Sequence, residues 1–543
     1  MKILIGRYSL LMLLGIAHAV ISEKLGEDLV VQLRDGKIRG HILKSENGID
    51  FYAFQEIPYA APPVGRNRFQ PPKHVKPWKG ILNTTKNTKI CYQNYSKHDL
   101  EMDEDCLYIN VYTPLKPKSS SEKLPVLFWI HGGGNKQGSG AYEYFGPKYI
   151  IDHRVVVATI NYRLGPIGFL TTEDKEIPAN NGLMDQKFAM KWVHRNIHLF
   201  QGDPRKVTII GQSSGSVDVG THILGRHSNE LELFRSAIML SGSPLVFFGH
   251  MNSRERAFEC GRFLDKNFKS NSSEDLLQIL QRVSAHSLCQ ACGAASDPII
   301  EKSNYFSYAP LQSLLDGNFR RIPILLGFTS EEMIFSALNS NVSSRIALDN
   351  NPAQLVPLGI NTSPENRTKA GELIKGLYTN TSFEHDTAAY VRWTSDNQMN
   401  IHMCEHAKLM SHKVPTYFYK FSYDGEIGEG PKINISGTGR VQHGGDLHYL
   451  WEVGNNFDLN KFPEKDQLTL HRYVKLITNF VKYQNPTPEK DTLLENITWP
   501  TTNGESLLYL NINDTLELKK NPRQCNEQMA IFDKYMEPPF IYY

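Results

Sequence analysis

Two glycine-rich stretches carry the residue types that acyl transfer needs. Gly211-Gln212-Ser213-Ser214-Gly215 is a G-x-S-x-G pattern that follows the β-favouring run Val207 to Ile210 without polar interruption. A strand that breaks into a helix through so sharp a turn lifts its central side chain clear of the sheet, which makes Ser213 the candidate nucleophile. The second stretch, His131-Gly132-Gly133-Gly134, follows the apolar run Pro125 to Ile130. Consecutive glycines let backbone N–H groups come close to a ligand, as an oxyanion demands. A phosphate loop is the competing reading, and it lacks the GK[ST] ending, since Lys136 is followed by Gln137. Taken singly, a flexible loop and a chance pentapeptide remain the plain alternatives.

The elements that must hold these stretches are legible as further apolar runs. Arg154 to Tyr162, Ser236 to Leu240, Ile322 to Gly327, Pro415 to Ser422 and Leu507 to Leu510 read as strands. Between them, Leu183 to Phe200 places apolar residues at 184, 188, 192, 193, 197 and 200, the spacing of a helix, with Asp185 in its first turn and Trp192 on the core side. Leu29 to Leu33 and Gly40 to Leu43 flank Asp35-Gly36 as a hairpin, so a small antiparallel sheet is expected at the start. Residues 338–382, rich in Asn and Ser, read as an exposed lobe rather than core. Strands alternating with helices predict an α/β architecture, with residues 20–543 forming one large domain.

The chain has 543 residues, and its 59 basic residues nearly balance 57 acidic ones. With no basic stripe among aromatics, nothing points to a nucleic-acid partner. Lys2 and Arg7 precede the apolar run Leu10 to Ile16, and Ala17-His18-Ala19 supplies small residues at the spacing of a signal-peptide cleavage site, so cleavage after Ala19 is expected. The last residues, Pro538 to Tyr543, form neither a retention tetrapeptide nor a membrane or lipid anchor, and the predicted destination is extracellular. Ten N-x-S/T sequons agree with it, at Asn83, Asn94, Asn271, Asn341, Asn361, Asn366, Asn380, Asn434, Asn496 and Asn513. Seven cysteines leave at least one unpaired within the chain. Cys289 and Cys292 make one C-x-x-C without a second pair or a histidine partner, so disulfides are a better reading than zinc. Cys404 and Cys525 are a candidate pair, and the sequence leaves the pairing among Cys260, Cys289, Cys292, Cys404 and Cys525 open.

Phe54-Gln55-Glu56-Ile57-Pro58-Tyr59-Ala60, the proline-rich segment Pro62 to Phe69, and Glu104-Asp105-Cys106-Leu107-Tyr108-Ile109-Asn110-Val111 together resemble the type B carboxylesterase and cholinesterase family of α/β-hydrolases. Ser241-Gly242-Ser243-Pro244 and Gly439-Arg440-Val441-Gln442-His443-Gly444-Gly445-Asp446 extend the resemblance over nearly all of the mature chain. It implies an α/β-hydrolase fold, with a large, mostly parallel central sheet flanked by helices and a small N-terminal antiparallel sheet. It also implies a Cys91–Cys106 disulfide and ion pairs Arg68–Glu104 and Arg163–Asp185.

For the site, the resemblance implies a triad of Ser213, Glu332 and His443, and an oxyanion hole from the N–H groups of Gly133, Gly134 and Ser214. Glu331, an exposed glutamate on this reading, and His448 are the neighbours competing for the acid and base positions. The activity implied is hydrolysis of a carboxylic ester through an acyl-enzyme, with no metal or cofactor required. Three departures bear on substrate. The stretch from Cys91 to Cys106 has no tryptophan to hold choline, and Gln212 stands where the family has glutamate; both disfavour a cationic ester. Asn135 replaces the usual aromatic after the glycines. Glutamine in the elbow and Gly439-x-x-His443-x-x-Asp446 resemble insect juvenile hormone esterases, which usually have alanine at the position of Ser214. A cholinesterase-like adhesion protein without activity is the alternative from another class, and such proteins typically lack a triad residue.

Overall fold

Runs of β-branched and aromatic residues that are apolar on both faces need cover on both sides, and they form the middle of one eleven-stranded sheet. The computed structural model describes residues 29–95, 99–225, 232–246, 252–293, 295–301, 307, 309–428, 434–452 and 457–543. The signal segment lies outside them. From one edge the strand order is Leu516–Lys519, Tyr509–Ile512, Thr416–Phe421, Ile324–Thr329, Ser236–Leu240, Gly202–Gln212, Leu124–Ile130, Val156–Ile160, Tyr108–Thr113, Asp50–Pro58 and His41–Lys44. Strands from Tyr509–Ile512 through Val156–Ile160 run parallel, and both margins are antiparallel.

Side chains alternate across this sheet and pack into a separate apolar cluster on each face. Val126, Phe128, Ile130 and Ile209 join one apolar cluster, whereas Leu127, Trp129 and Ile210 join the other. Each such side chain, fully buried, stabilises the fold by roughly 1.5–3 kcal/mol. The helix Asn181–Asn196 carries Trp192 into the first cluster, as its spacing predicts, and ends in a short 3-10 turn at Ile197–Phe200.

Two local expectations are corrected. The N-terminal hairpin pairs Val30–Gln32 with Lys37–Arg39, because the turn at Asp35-Gly36 is tight enough for Leu33 N–H to donate to Gly36 O at 2.9 Å. His41–Lys44 crosses instead to the large sheet, and Ile81–Asn83 adds to the small one in parallel. Residues 338–382 are helical over Val342–Asn350 and Pro364–Tyr378 and bury Leu348, Leu355, Val356, Ile360 and Ile374 in the main core. Their polar residues serve partly as caps: Asn341 accepts from the Ser343 N–H and Ser363 from the Asn366 N–H.

Disulfides join Cys91 to Cys106, Cys260 to Cys292 and Cys404 to Cys525, leaving Cys289 buried and unpaired. Arg68 pairs with Glu104 and Arg163 with Asp185, the latter through two 2.7 Å contacts in the interior. No described helix is long and apolar enough to cross a membrane.

Candidate active site

The strand Gly202–Gln212 and the helix Ser214–Leu224 meet at Ser213, whose φ of 57° and ψ of −125° turn the chain sharply. Room for that turn comes from Gly211 and Gly215: a Cβ on Gly211 would lie 2.3 Å from the Gly215 carbonyl oxygen, and one on Gly215 2.3 Å from that of Ile130. Ser213 N–H donates to Leu240 O at 2.9 Å, which ties the turn to the neighbouring strand. Ser213 Oγ makes no hydrogen bond with any described residue.

The glycine loop after strand Leu124–Ile130 lies beside the elbow. Gly133 has φ of 110°, and a Cβ there would meet Gln137 O at 2.1 Å, so no other residue fits. The N–H groups of Gly133, Gly134 and Ser214 find no acceptor among the described residues. Two departures noted in the sequence meet here, since Asn135 N–H donates to Ser214 Oγ at 3.0 Å. The adjoining cavity of about 200 Å³ is lined by Gly134, Asn135, Lys136, Ser213, Ser214, Val217, Asp297 and Met399. A larger groove of about 930 Å³, bounded by Arg254, Phe258 and Arg262, includes none of these residues.

Glu332 follows strand Ile324–Thr329 and is buried, with Oε1 accepting from Thr329 N–H at 2.7 Å and from the Ser241 hydroxyl at 2.6 Å. Its Oε2 lies 2.5 Å from His443 Nδ1, and His443 N–H donates to Glu332 O at 3.0 Å. Burial by itself lowers the imidazole pKa, but the charge and hydrogen bond of Glu332, with Asp446 behind, outweigh it and raise the pKa above 6.5. The other ring nitrogen, Nε2, lies 3.1 Å from Gln212 Nε2. Asp446 is itself buried; loss of solvent pushes its carboxyl up to about 6 although Tyr473 donates to it at 2.9 Å.

Each rival residue is engaged elsewhere. Glu331 is wholly buried rather than exposed, because it accepts from Gly439 N–H at 2.9 Å and from Arg523 at 2.8 Å, and that guanidinium also binds Asp396. His448 Nδ1 is 3.1 Å from Ile427 O. Sequence reasoning missed Ser241 as a partner of Glu332 and missed Asp297 and Met399 in the cavity. Ser241 sits in a recognisable motif; the other two have no sequence signal.

The Carboxylesterase family model matches residues 27–530. The chain belongs to the carboxylesterase family. Among relatives of this family member, the juvenile hormone esterase of Tribolium castaneum is 30% identical over 523 residues, covering 89% of this chain and 88% of that protein. Esterase FE4 of Myzus persicae is 31% identical over 496 residues, with 85% and 86% covered. The crystal structure of juvenile hormone esterase from Manduca sexta, with OTFP covalently attached, superposes with a TM-score of 0.81 at 27% identity, covering 93% of this chain and 99% of that one. The fold is thus that of an α/β-hydrolase, and this family member is a carboxylic ester hydrolase of juvenile hormone esterase-like type.

Proposed function

We propose that this ester hydrolase works through Ser213, with His443 as general base and Glu332 as the group that orients it. The observation that carries the reading is the 2.5 Å contact between Glu332 Oε2 and His443 Nδ1, with Glu332 itself held by Thr329 and Ser241. A carboxylate on Nδ1 fixes the tautomer that leaves the Nε2 lone pair free to take a proton and stabilises the imidazolium that results.

As substrate enters, the Nε2 lone pair passes from the Gln212 amide to the Ser213 hydroxyl. Catalytic hydrogen bonds are commonly absent or long before substrate binds, so the resting contact is compatible with this role. Ser213 Oγ bonds to the ester carbonyl carbon while its proton moves to His443 Nε2. The carbonyl oxygen becomes an alkoxide facing the N–H groups of Gly133, Gly134 and Ser214. Collapse breaks the bond to the alcohol oxygen, which takes the proton from His443. Water then attacks the acyl-Ser213 ester, gives its proton to His443, and the acid leaves as Ser213 is reprotonated.

Uncharged esters are the proposed substrates, with lipophilic esters such as juvenile hormone as the leading specific class. Relatives named juvenile hormone esterase support that class. The cavity lining supports the neutral preference, because no described aromatic side chain lines it and Lys136 stands with Asp297. Residues 20–543 are read as one domain secreted after cleavage at Ala19, and three disulfides favour an oxidising compartment. Hydrolysis of a 4-nitrophenyl ester by Ser213→Ala tests the mechanism: loss of several orders of magnitude is expected from a folded variant. Turnover comparable to wild type would remove Ser213 from the reaction.

A further inference from the structure

Asp218, five residues past the elbow on the helix Ser214–Leu224, is wholly buried. Its hydrogen-bond partners among the described residues are two amides: Gln186 Nε2 donates to Oδ2 at 2.6 Å and Asn135 Nδ2 to Oδ1 at 3.4 Å. Both amides are oriented from behind. Gln186 Oε1 lies 2.8 Å from His222 Nε2, and Asn135 Oδ1 lies 3.0 Å from the Tyr162 hydroxyl, so each turns its NH₂ group to the carboxyl. Tyr162 OH is also 2.9 Å from His131 O, at the root of the glycine loop.

A carboxylate is a costly choice for this place. Taking an ionised group out of water is unfavourable, and a small apolar or hydroxyl side chain would fill the position without that penalty. Loss of solvent pushes the Asp218 carboxyl up to about 7 even with both amides donating. What the carboxyl gains is a hold on Asn135, which has φ of 53°, directly follows Gly134 and donates its own N–H to Ser214 Oγ.

We propose that Asp218 is a positioning residue for the oxyanion-binding loop: through Asn135 it fixes the backbone of Gly133, Gly134 and Ser214 where the developing alkoxide needs their N–H groups. This rests on the serine mechanism proposed above. The effect belongs to the transition state more than to substrate binding, because the donors are aimed at charge that appears only as the carbonyl is attacked.

The test compares Asp218→Asn, Asn135→Gly and the double variant on a 4-nitrophenyl ester, with Ser213→Ala alongside. Glycine accepts a positive φ without a steric penalty, so Asn135→Gly removes the side chain and leaves the turn open to its native course. Each single variant is expected to lose roughly 10- to 100-fold in kcat, with KM changed less than about threefold, since a misplaced oxyanion donor costs mainly kcat. Affinity for a trifluoromethyl ketone, whose hemiketal oxygen mimics the alkoxide, should fall by the same factor as kcat/KM. The double variant should be no worse than the weaker single, because both changes break one link. An unchanged kcat, a loss confined to KM, or multiplying losses in the double variant would overturn the proposal. If Asp218→Asn does not fold, Asn135→Gly with the ketone decides on its own. Activity in Ser213→Ala would instead overturn the serine mechanism, whatever the Asp218 variants do.

Discussion

Gln212 Nε2 lies 3.1 Å from His443 Nε2, on the ring nitrogen that a serine's general base must present to its nucleophile. With Glu332 on Nδ1, the amide donates to the Nε2 lone pair and favours the neutral ring. Replacing the amide by a carboxylate reverses that preference, since an acceptor needs a protonated Nε2. Gln212→Glu is therefore expected to raise the His443 pKa further. A base is active only when deprotonated, so the acidic limb of kcat/KM should move to higher pH by about one unit. A pH–rate profile checks this, and a limb that stays or moves down would remove the contact from the working enzyme.

Adjacent glutamates have different partners. Glu332→Gln takes the counter-charge from His443 and is expected to lower kcat by about 10⁴-fold with little change in melting temperature. Glu331→Gln leaves the buried Arg523 with one carboxylate partner, Asp396, so it should lower stability, by up to about 3 kcal/mol, while folded enzyme keeps most of its activity. Calorimetry and kinetics on both variants give the ranking, and the opposite ranking would transfer the acid role to Glu331.

A quaternary ammonium needs an aromatic face or an unopposed anion to replace its water, each good contact being worth up to about 2 kcal/mol. Val217, Met399 and Asn135 line the cavity instead, and Lys136 lies with Asp297 there. Butyrylcholine is expected to be hydrolysed with kcat/KM roughly 100-fold below that of a neutral butyrate of matched length. Equal rates would reveal a cation site elsewhere along the path to Ser213.

Glycan occupancy should follow exposure and amide use. Asn83 and Asn496 are exposed, whereas Asn361 spends its side-chain amide on the carbonyls of Glu537 at 2.9 Å and Pro538 at 2.6 Å. A glycosylated Asn361 could keep only one of these bonds. Peptide mapping of secreted protein is expected to find Asn83 and Asn496 modified and Asn361 bare.

Sequence legibility tracked how local each signal is. Central strands were readable because a strand covered on both faces must be apolar throughout, and Ser213 with Gly133 because elbow and loop are short motifs. Glu332 and His443 are single residues 111 positions apart, joined only by the folded sheet, and no local pattern marks either without the family resemblance. Cys289 and Cys292 lie on one short helix, so spacing could not choose between them as the partner of Cys260. The exposure expected of Glu331 failed for a related reason. Its partner Arg523 arrives from the far end of the chain, and a charged residue reads as solvent-facing until that partner is known.

At φ 57° and ψ −125°, Ser213 occupies a backbone region that glycine alone enters freely, and holding another residue there costs of order 1–3 kcal/mol. The residue proposed to do the chemistry is therefore, conformationally, among the worst suited to its own position. Ser213→Gly should be inactive and yet melt higher than wild type, an inverse relation between activity and stability located in one residue. Thermal unfolding of Ser213→Gly against Ser213→Ala separates backbone relief from loss of the hydroxyl, because alanine keeps the strain that glycine releases. On the proposed mechanism, strain at this one residue holds the fold's stability below that of a relaxed elbow.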